Sequence, residues 1–136
     1  MRTPTESAAW LLAALHAARA GASGVDLRAL VASADAINHA VITYSEFKGG
    51  SELLLGSQCV AYHGNVFALT EHGAEVLRRC GAYEDPTSSH LSRIAESLAR
   101  LPTIAATAPV IEPVFTEVIA SYAVALPHPL WVSRNA

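Results

Sequence analysis

Four residues between positions 59 and 80 are of the types that bind metal ions. Cys59, His63, His72 and Cys80 supply the thiolate and imidazole groups that suit tetrahedral zinc. Their spacing, C-x3-H-x8-H-x7-C, lacks the short C-x2-C or H-x3-H pairs typical of zinc motifs. On one strand, Cys59 and His63 would lie about 13 Å apart at about 3.3 Å per residue, too far to share an ion. We therefore expect no metal site. Cys59 is instead expected to be a buried thiol, His63 an exposed imidazole at a loop tip and His72 a residue of the first turn of a helix.

A second polar group consists of Asp35, Asn38 and His39, which stand at i, i+3 and i+4. On a helix these side chains share one face, and an Asp four residues before a His can hydrogen-bond it and raise its pKa. One hypothesis is a small-molecule or pH-sensing pocket. The other is a structural turn, in which Asp35 and Asn38 satisfy free backbone groups at the end of a helix.

Enzyme motifs are missing from the sequence. It contains no glycine-rich phosphate loop, no G-x-S-x-G and no H-E-x-x-H, and neither cysteine is flanked by evident activating groups. Ser45, Ser51 and Ser57 are better explained as surface residues than as nucleophiles. We expect a non-enzymatic protein without a cofactor.

Composition and charge narrow the class of protein further. The 136 residues fit one domain, or a small domain with an appended arm. Nine Lys and Arg against twelve Asp and Glu give a net charge of -3, which does not draw the whole molecule toward polyanions. The longest apolar runs fall far short of the roughly 20 residues that span a bilayer. With only two cysteines, the sequence favours a reduced, cytoplasmic protein without a membrane segment.

Three helices are predicted in the first part of the chain. Thr3, Pro4 and Glu6 form a capping box with Pro at the first helical position, and an apolar stripe follows at Ala8, Leu11, Leu12 and Leu15. The same spacing at Leu27, Leu30, Val31 and Ala34 predicts a second helix. Thr43 and Glu46 form another capping box and open a third helix, which runs to about Gly56. Close packing against a neighbouring helix would explain Gly50 in its interior.

The stretch CVAYHGNVFALTEHG, from Cys59 to Gly73, predicts a hairpin that leads into a helix. A two-residue loop at Gly64-Asn65 pairs His63 with Val66, Tyr62 with Phe67 and Val60 with Leu69. Val60, Tyr62, Phe67 and Leu69 then share the core face, and Cys59, Ala61, His63, Val66, Ala68 and Thr70 lie on the other. Thr70 can cap a fourth helix over about Glu71 to Cys80.

Beyond Pro86, two amphipathic segments form a C-terminal extension. Leu91, Ile94, Leu98 and Leu101 predict a helix up to Pro102, and Thr103 to Pro113 is a connector rich in alanine and proline. Phe115, Val118, Ile119, Tyr122 and Leu126 favour another helix, stopped by Pro127 and Pro129, although the Val, Ile and Tyr residues would also suit a strand. The tail LWVSRNA with Trp131 follows.

The order helix, helix, helix, hairpin, helix resembles a winged helix-turn-helix domain. The run TYSEFKGGSELLLGSQCVAYHGNVFALTEHGAEVL is similar to the passage from recognition helix to wing in that superfamily, most specifically at FALTEHG. ADAINHAVITYSEF also resembles uncharacterised bacterial members. The resemblance implies a mainly α (α+β) fold: a winged domain over residues 1–82, with a two-stranded wing and a fourth helix, then a helical extension over 83–136.

The resemblance further implies a small bacterial transcriptional regulator that binds double-stranded DNA. The third helix would be the recognition helix, with Gly64-Asn65 as the wing tip, and the candidate contacts are Tyr44, Ser45, Lys48, Glu52, His63 and Asn65. Charge departs from this pattern, because the helix has one cation, Lys48, against Glu46 and Glu52. The alternative is a winged-helix protein-interaction module that does not bind nucleic acid.

The two C-terminal segments carry more apolar surface than a small winged domain needs to cover itself. Winged regulators often dimerise through appended helices, so the resemblance implies a homodimer formed through this extension. The alternative is that both segments fold back on the monomer and enlarge its core. The sequence leaves both open.

Overall fold

The computed structural model describes residues 2–19, 24–84 and 87–125, and all structural statements refer to these ranges. Within them the chain is mainly helical with one small antiparallel sheet, which confirms the α+β class. The elements are α1 (Pro4–Arg19), β1 (Val25–Asp26), α2 (Leu27–Asn38), α3 (Tyr44–Gly56), β2 (Val60–His63), β3 (Val66–Leu69), α4 (Glu71–Arg79), a 3-10 turn (Ser88–His90), α5 (Leu91–Ala99) and α6 (Glu112–Ala125).

Helix α1 lies at the centre and is buried on every side. All residues from Ser7 to His16 are buried, and the Trp10 indole N–H donates to the carbonyl oxygen of Ala34 on α2 at 2.8 Å. The prediction of a single apolar stripe was therefore too narrow. Alanines occupy the remaining faces because α2, α3 and α5 all pack against this helix, and small side chains permit close approach.

The predicted helix starts are confirmed by their cap hydrogen bonds. The Thr43 hydroxyl accepts from the Glu46 N–H, and the Glu46 carboxylate accepts from the Thr43 N–H. Thr3 and Glu6 form the same box at α1, and Thr70 accepts from the N–H of Gly73 at α4. The cap of α2 was missed: Asp26 accepts from the N–H of Ala29 at 2.8 Å.

The hairpin register is confirmed. Val60 pairs with Leu69, Tyr62 with Phe67 and His63 with Val66. Gly64 and Asn65 have φ values of 57° and 64°, the left-handed pair that a two-residue I′ loop requires. Val60 and Phe67 are buried, whereas Tyr62 and Leu69 are half-buried. Cys59 departs from the predicted outward position, because it lies in the bend before β2 and is completely buried.

A third strand joins the hairpin, so the sheet is not two-stranded as predicted. β1 pairs with β3 in antiparallel register, Val25 with Phe67 and Asp26 with Val66, which gives the order β1-β3-β2. Two residues are too few to show the alternation that indicates a strand, and the sequence is equally compatible with Val25 lying in the loop that precedes α2.

The C-terminal helices pack on the rest of the chain. α5 lies against α1 with Ile94 and Leu98 buried, and α6 lies against α2 and α3 with Phe115 and Tyr122 buried. α6 begins at Glu112, earlier than predicted, because Pro113 fits the first helical turn, where no intrahelical N–H bond is lost. The predictions for Leu126, Pro127, Pro129 and Trp131 lie outside the described residues. Among the described helices, none has the length and hydropathy needed to cross a membrane.

Candidate functional site

Helix α3 presents one face to the core and another toward the C-terminal part of the chain. Phe47, Gly50 and Leu54 are buried in the core. A methyl group at Gly50 would lie 2.9 Å from both the Leu11 Cδ1 and the Ser7 carbonyl carbon of α1, so the predicted close packing of this glycine is confirmed. The predicted contact residues Ser45 and Lys48 are exposed, whereas Tyr44 and Glu52 are half-buried.

The first turn of α3 is fixed by Glu46, a buried carboxylate. Besides closing the capping box, it accepts a hydrogen bond from the Arg2 guanidinium at 3.0 Å. Burial acts to raise the pKa of the Glu46 carboxyl, but the hydrogen bonds from Thr43 and Arg2 outweigh it, so the pKa lies below its usual value. Glu46 is therefore a structural residue of this helix.

The only cation of α3 is already paired. The Lys48 ammonium donates to both carboxylate oxygens of Glu52, at 3.2 and 2.9 Å. This hydrogen bond is the largest cause of the lowered pKa of the Glu52 carboxyl, and a hydrogen bond from the Ala108 backbone lowers it further. Lys48 and Glu52 together present no net charge to a partner.

Residues 102–111, which we call the strap, run along the outer side of α3. The Ile104 N–H donates to the Gly56 carbonyl oxygen at 3.1 Å, and the Ala108 N–H donates to Glu52 at 3.2 Å. At the other end of α3, the Tyr44 hydroxyl donates to the Val110 carbonyl oxygen at 3.1 Å. The strap therefore contacts the last turn, the middle and the first turn of the helix.

Gly56 leaves room for the contact with Ile104. It ends α3, and its φ is not among the left-handed values of the described glycines, so its backbone does not demand glycine. A methyl group there would collide with the Ile104 carbonyl oxygen, closer than side-chain carbons come to such an atom. The absent side chain is what admits the strap.

Aromatic packing anchors the strap where it enters α6. Val110 and Phe115 are both buried, and the Phe115 ring stacks on Phe47 of α3 with centroids 5.1 Å apart. Tyr44 meets the same ring edge-on at 5.5 Å. The strap and the first turn of α6 thus share a core with α3.

Three large apolar side chains of the strap and the first turn of α6 are exposed to solvent. Ile104, Ile111 and Val114 are 70%, 64% and 45% exposed. Residues 101–125 contain no Lys, Arg or His, and their charged residues are Glu112 and Glu117. These residues supply apolar surface and two carboxylates, and no cation of their own.

The hairpin tip carries the other predicted contact residues. His63 and Asn65 are both exposed, and the Tyr62 hydroxyl approaches the Asn65 side-chain oxygen at 3.5 Å. The stretch from Cys59 to Gly73 contains no Lys or Arg. The tip can offer hydrogen bonds to a partner, but it has no permanently charged cation.

The Asp35, Asn38 and His39 group closes α2 and connects it to α6. His39 adopts a left-handed cap with φ 51°, and its N–H donates to the Asp35 carbonyl oxygen. The Asp35 carboxylate accepts from the Tyr122 hydroxyl at 2.8 Å, a contact 87 positions away in the sequence. Asp35 therefore joins two helices, a role that its local spacing does not indicate.

The four metal-ligand candidates are divided between the core and the surface. Cys59 and Cys80 are buried, and burial raises the pKa of both thiols, whereas His63 and His72 are exposed. Across residues 2–19, 24–84 and 87–125, no three His, Cys, Asp or Glu side chains come together as a metal ion would require.

A buried histidine that the sequence did not single out lies at the end of α1. His16 Nδ1 accepts from Arg19 Nε at 2.7 Å, which leaves the proton on Nε2 to be donated to the Tyr83 carbonyl oxygen. Burial lowers the pKa of His16, and the neighbouring Arg19 lowers it further, although the Tyr83 hydrogen bond acts the other way. The imidazole is held neutral as a link between α1 and residue 83.

No protein-family model, curated protein or solved structure matches this chain.

Proposed function

We propose that this chain is a winged-helix domain with a helical extension. The support is the order α1-β1-α2-α3-β2-β3, in which the short β1 pairs with the second strand of the hairpin. In this assignment α3 is the recognition helix, Gly64-Asn65 is the wing tip, and α5 and α6 form the extension. Such a domain can bind DNA, RNA or protein, so the function rests on the properties of α3.

We propose further that the domain is a cytoplasmic, non-enzymatic protein-interaction module that does not bind nucleic acid through α3. The observation that carries this proposal is the strap, which occupies the outer side of α3 through Tyr44, Glu52 and Gly56. A recognition helix enters the major groove only if its outer side is free, because the side chains on that side contact the base edges.

Charge supports the same conclusion. Affinity for DNA comes largely from neutralised phosphates, each of which contributes about 0.9 to the slope of log affinity against log salt. Lys48 is the only cation on α3, and Glu52 already neutralises it. The hairpin tip adds no Lys or Arg.

The favoured partner is a second copy of the chain, bound through the C-terminal extension. Ile104, Ile111 and Val114 provide the exposed apolar side chains that such an interface would bury. The absence of any cation from residues 101–125 disfavours nucleic acid on this surface. In this proposal α5 and α6 complete the core of their own copy, and the exposed apolar residues of the strap and of the first turn of α6 meet the partner.

Light scattering of the full chain tests the homodimer. The dimer mass is expected, and Ile111→Asp with Val114→Asp should convert it to monomer, because two charges would be buried in an apolar contact. Thr116→Asp, at an exposed position of the same helix, is the matched control and should leave the dimer intact. A monomeric wild-type chain would refute homodimerisation.

DNA binding is the second candidate function, and one observation favours it. Ser45 and Lys48 at the start of α3 remain exposed, as do His63 and Asn65 at the hairpin tip. A mobility-shift assay at about 50 mM salt against mixed genomic fragments separates the two candidates. The interaction module predicts no shift, whereas a shift abolished by Lys48→Glu but not by Arg28→Glu on α2 would establish DNA binding through α3.

A further inference from the structure

An open cleft lies between the end of α4 and one face of α5. Its volume is about 480 Å³, within the range of about 300–1,000 Å³ that small-molecule sites occupy. Arginine is the residue type that stands out in its lining. The residues that matter for its chemistry are Arg79, Cys80, Arg93, Glu96, Ser97 and Arg100.

Helical spacing brings the α5 side of the cleft together. Arg93, Ser97 and Arg100 stand at i, i+4 and i+7, so their side chains lie on one face of the helix. α4 ends beside this face at Cys80, whose carbonyl oxygen accepts a long hydrogen bond of 3.5 Å from the Arg93 guanidinium. Arg93 is therefore placed at the junction of the two helices, with Ser97 half-buried one turn further along.

Both α5 arginines lack a carboxylate partner within the part of the chain that the structure describes. Arg93 forms no ion pair there, and the Arg100 side chain forms neither an ion pair nor a hydrogen bond. Arg79, by contrast, pairs with Glu75 at 3.2 Å. Glu96 stands four residues before Arg100, a spacing that favours an ion pair, yet these two side chains do not form one. The fold thus leaves two guanidinium groups at one cleft available to a ligand.

We propose that this cleft binds the phosphate group of a small molecule, held by Arg93 and Arg100. A guanidinium group binds phosphate through two parallel N–H···O bonds, which are stronger than hydrogen bonds between neutral groups. Ser97 lies on the same face between the two arginines, and its hydroxyl can donate to a further phosphate oxygen. This site is separate from the strap and from the proposed dimer surface, so the inference goes beyond the proposed function.

The carboxylates around the cleft indicate how large the anion is. Glu96 lines the cleft, and Glu75 holds Arg79, so three arginines against two carboxylates leave one net positive charge. That charge suits a single phosphate group. The backbone of a nucleic acid would bring its successive phosphates against these carboxylates. Glu96 can also accept a hydrogen bond from a hydroxyl group of the ligand, as a phosphorylated polyol would offer.

The probes for this site are inorganic phosphate and glycerol phosphate, titrated into the isotope-labelled full chain, with glycerol as the uncharged reference. The readout is the position of the Cys80 and Ser97 amide resonances. Arg100→Gln is the main variant, because no hydrogen bond or ion pair of the described fold is lost with that side chain. Arg28→Gln on α2 is the matched control, since Arg28 is also exposed and forms no ion pair among the described residues, but lies outside the cleft.

Both phosphates should shift the Cys80 and Ser97 resonances to saturation, and glycerol should not. Arg100→Gln should weaken binding about tenfold, the usual effect of losing a charge-assisted hydrogen bond, and Arg28→Gln should leave it unchanged. Glu96→Gln should tighten binding of inorganic phosphate about fivefold, because a like charge beside the anion is removed. Tighter binding of glycerol phosphate than of inorganic phosphate identifies the ligand as a phosphate ester, and equal binding identifies it as free phosphate.

Three results would overturn the proposal. Absence of any shift with both phosphates up to about 10 mM would mean that the arginines serve only the negative ends of α4 and α5. Saturation that Arg100→Gln does not weaken would place the phosphate elsewhere. Tighter binding of duplex DNA than of either phosphate, at the same two amides, would make the cleft a nucleic-acid site. None of these results depends on the seating of the strap or on the mass of the protein, so they leave the test of the proposed homodimer separate.

Discussion

Three glycines on α3 predict three different responses to the same substitution. Gly49, Gly50 and Gly56 would each gain a methyl group, and the structure gives that group different surroundings. At Gly49 the nearest atoms belong to Pro4 at 3.6 Å, an ordinary contact. At Gly50 they are backbone and Leu11 atoms of α1 at 2.9 to 3.0 Å, and at Gly56 the strap carbonyl of Ile104 is in the way.

The magnitudes follow from helix propensity and steric overlap. Gly49→Ala should stabilise the protein by about 0.5–1 kcal/mol, the usual gain when alanine replaces a helical glycine. Gly50→Ala should cost about 1–3 kcal/mol, because backbone atoms of α1 cannot move aside locally. Gly56→Ala should also cost about 1–3 kcal/mol, because either the strap shifts or its contacts with α3 are lost.

Urea or thermal unfolding measures all three variants. A chain of this length shifts its midpoint by about 4 °C per kcal/mol, so the differences in sign are easily resolved. Ala108→Pro, which loosens the strap, should reduce the cost of Gly56→Ala but not that of Gly50→Ala, since only the former acts through the strap. If Gly56→Ala raises the midpoint as Gly49→Ala does, the strap does not lie against this residue and the reasoning is wrong.

Further predictions concern the links between helices. Folding lowers the pKa of His16 below its usual value near 6.5. The stabilisation that the neutral His16 gives is therefore complete above pH 6.5 and is lost as the pH falls below that value. Among the nearby charges, Arg19 and Arg78 oppose protonation of His16 and Glu84 favours it. His16→Gln should remove that pH dependence of the midpoint, and an unchanged dependence would count against a neutral buried imidazole. A chain ending at Ala82 loses Ile94 and Leu98 from the back of α1, about 1.5–3 kcal/mol each, which approaches the whole stability of a typical domain. It should be largely unfolded by circular dichroism, and a cooperative transition near that of the full chain would contradict the packing of α5. Tyr122→Phe should cost about 1 kcal/mol through the lost hydrogen bond to Asp35, with unfolding in urea as the readout and no change as the refuting result.

Local chemistry made much of the fold predictable. The capping boxes at Thr3 and Thr43 set their helix starts, and strand parity around Gly64-Asn65 set the hairpin register, because these signals depend on neighbours in sequence. β1 was not predictable from the sequence, since two residues show no periodicity. Nor was the burial of α1 on every side, because α5, which covers its remaining face, lies some 75 positions further along the chain.

The sequence predicted some residues of the candidate site, but not the contacts that they make. The sequence placed Tyr44 and Glu52 on the outer side of α3, where we predicted DNA contacts, and gave no sign of their hydrogen bonds to the strap. No periodic pattern indicates where an alanine- and proline-rich connector will lie, because its contacts are backbone hydrogen bonds. Gly56 gave no warning, because a glycine at the end of a helix is common and only the structure shows that its backbone conformation does not require one.

A nuclear Overhauser spectrum of the full chain tests the central claim, the seating of the strap on α3, most directly. Gly56 and Ile104 are joined by a hydrogen bond, and so are Glu52 and Ala108, so cross-peaks are predicted between the Ile104 amide and the Gly56 α protons, and between the Ala108 amide and the Glu52 side chain. The packed rings of Phe47 and Phe67, with centroids 6.0 Å apart, provide the internal reference. Cross-peaks between those rings without either strap cross-peak would contradict the account, because the outer side of α3 would then be open.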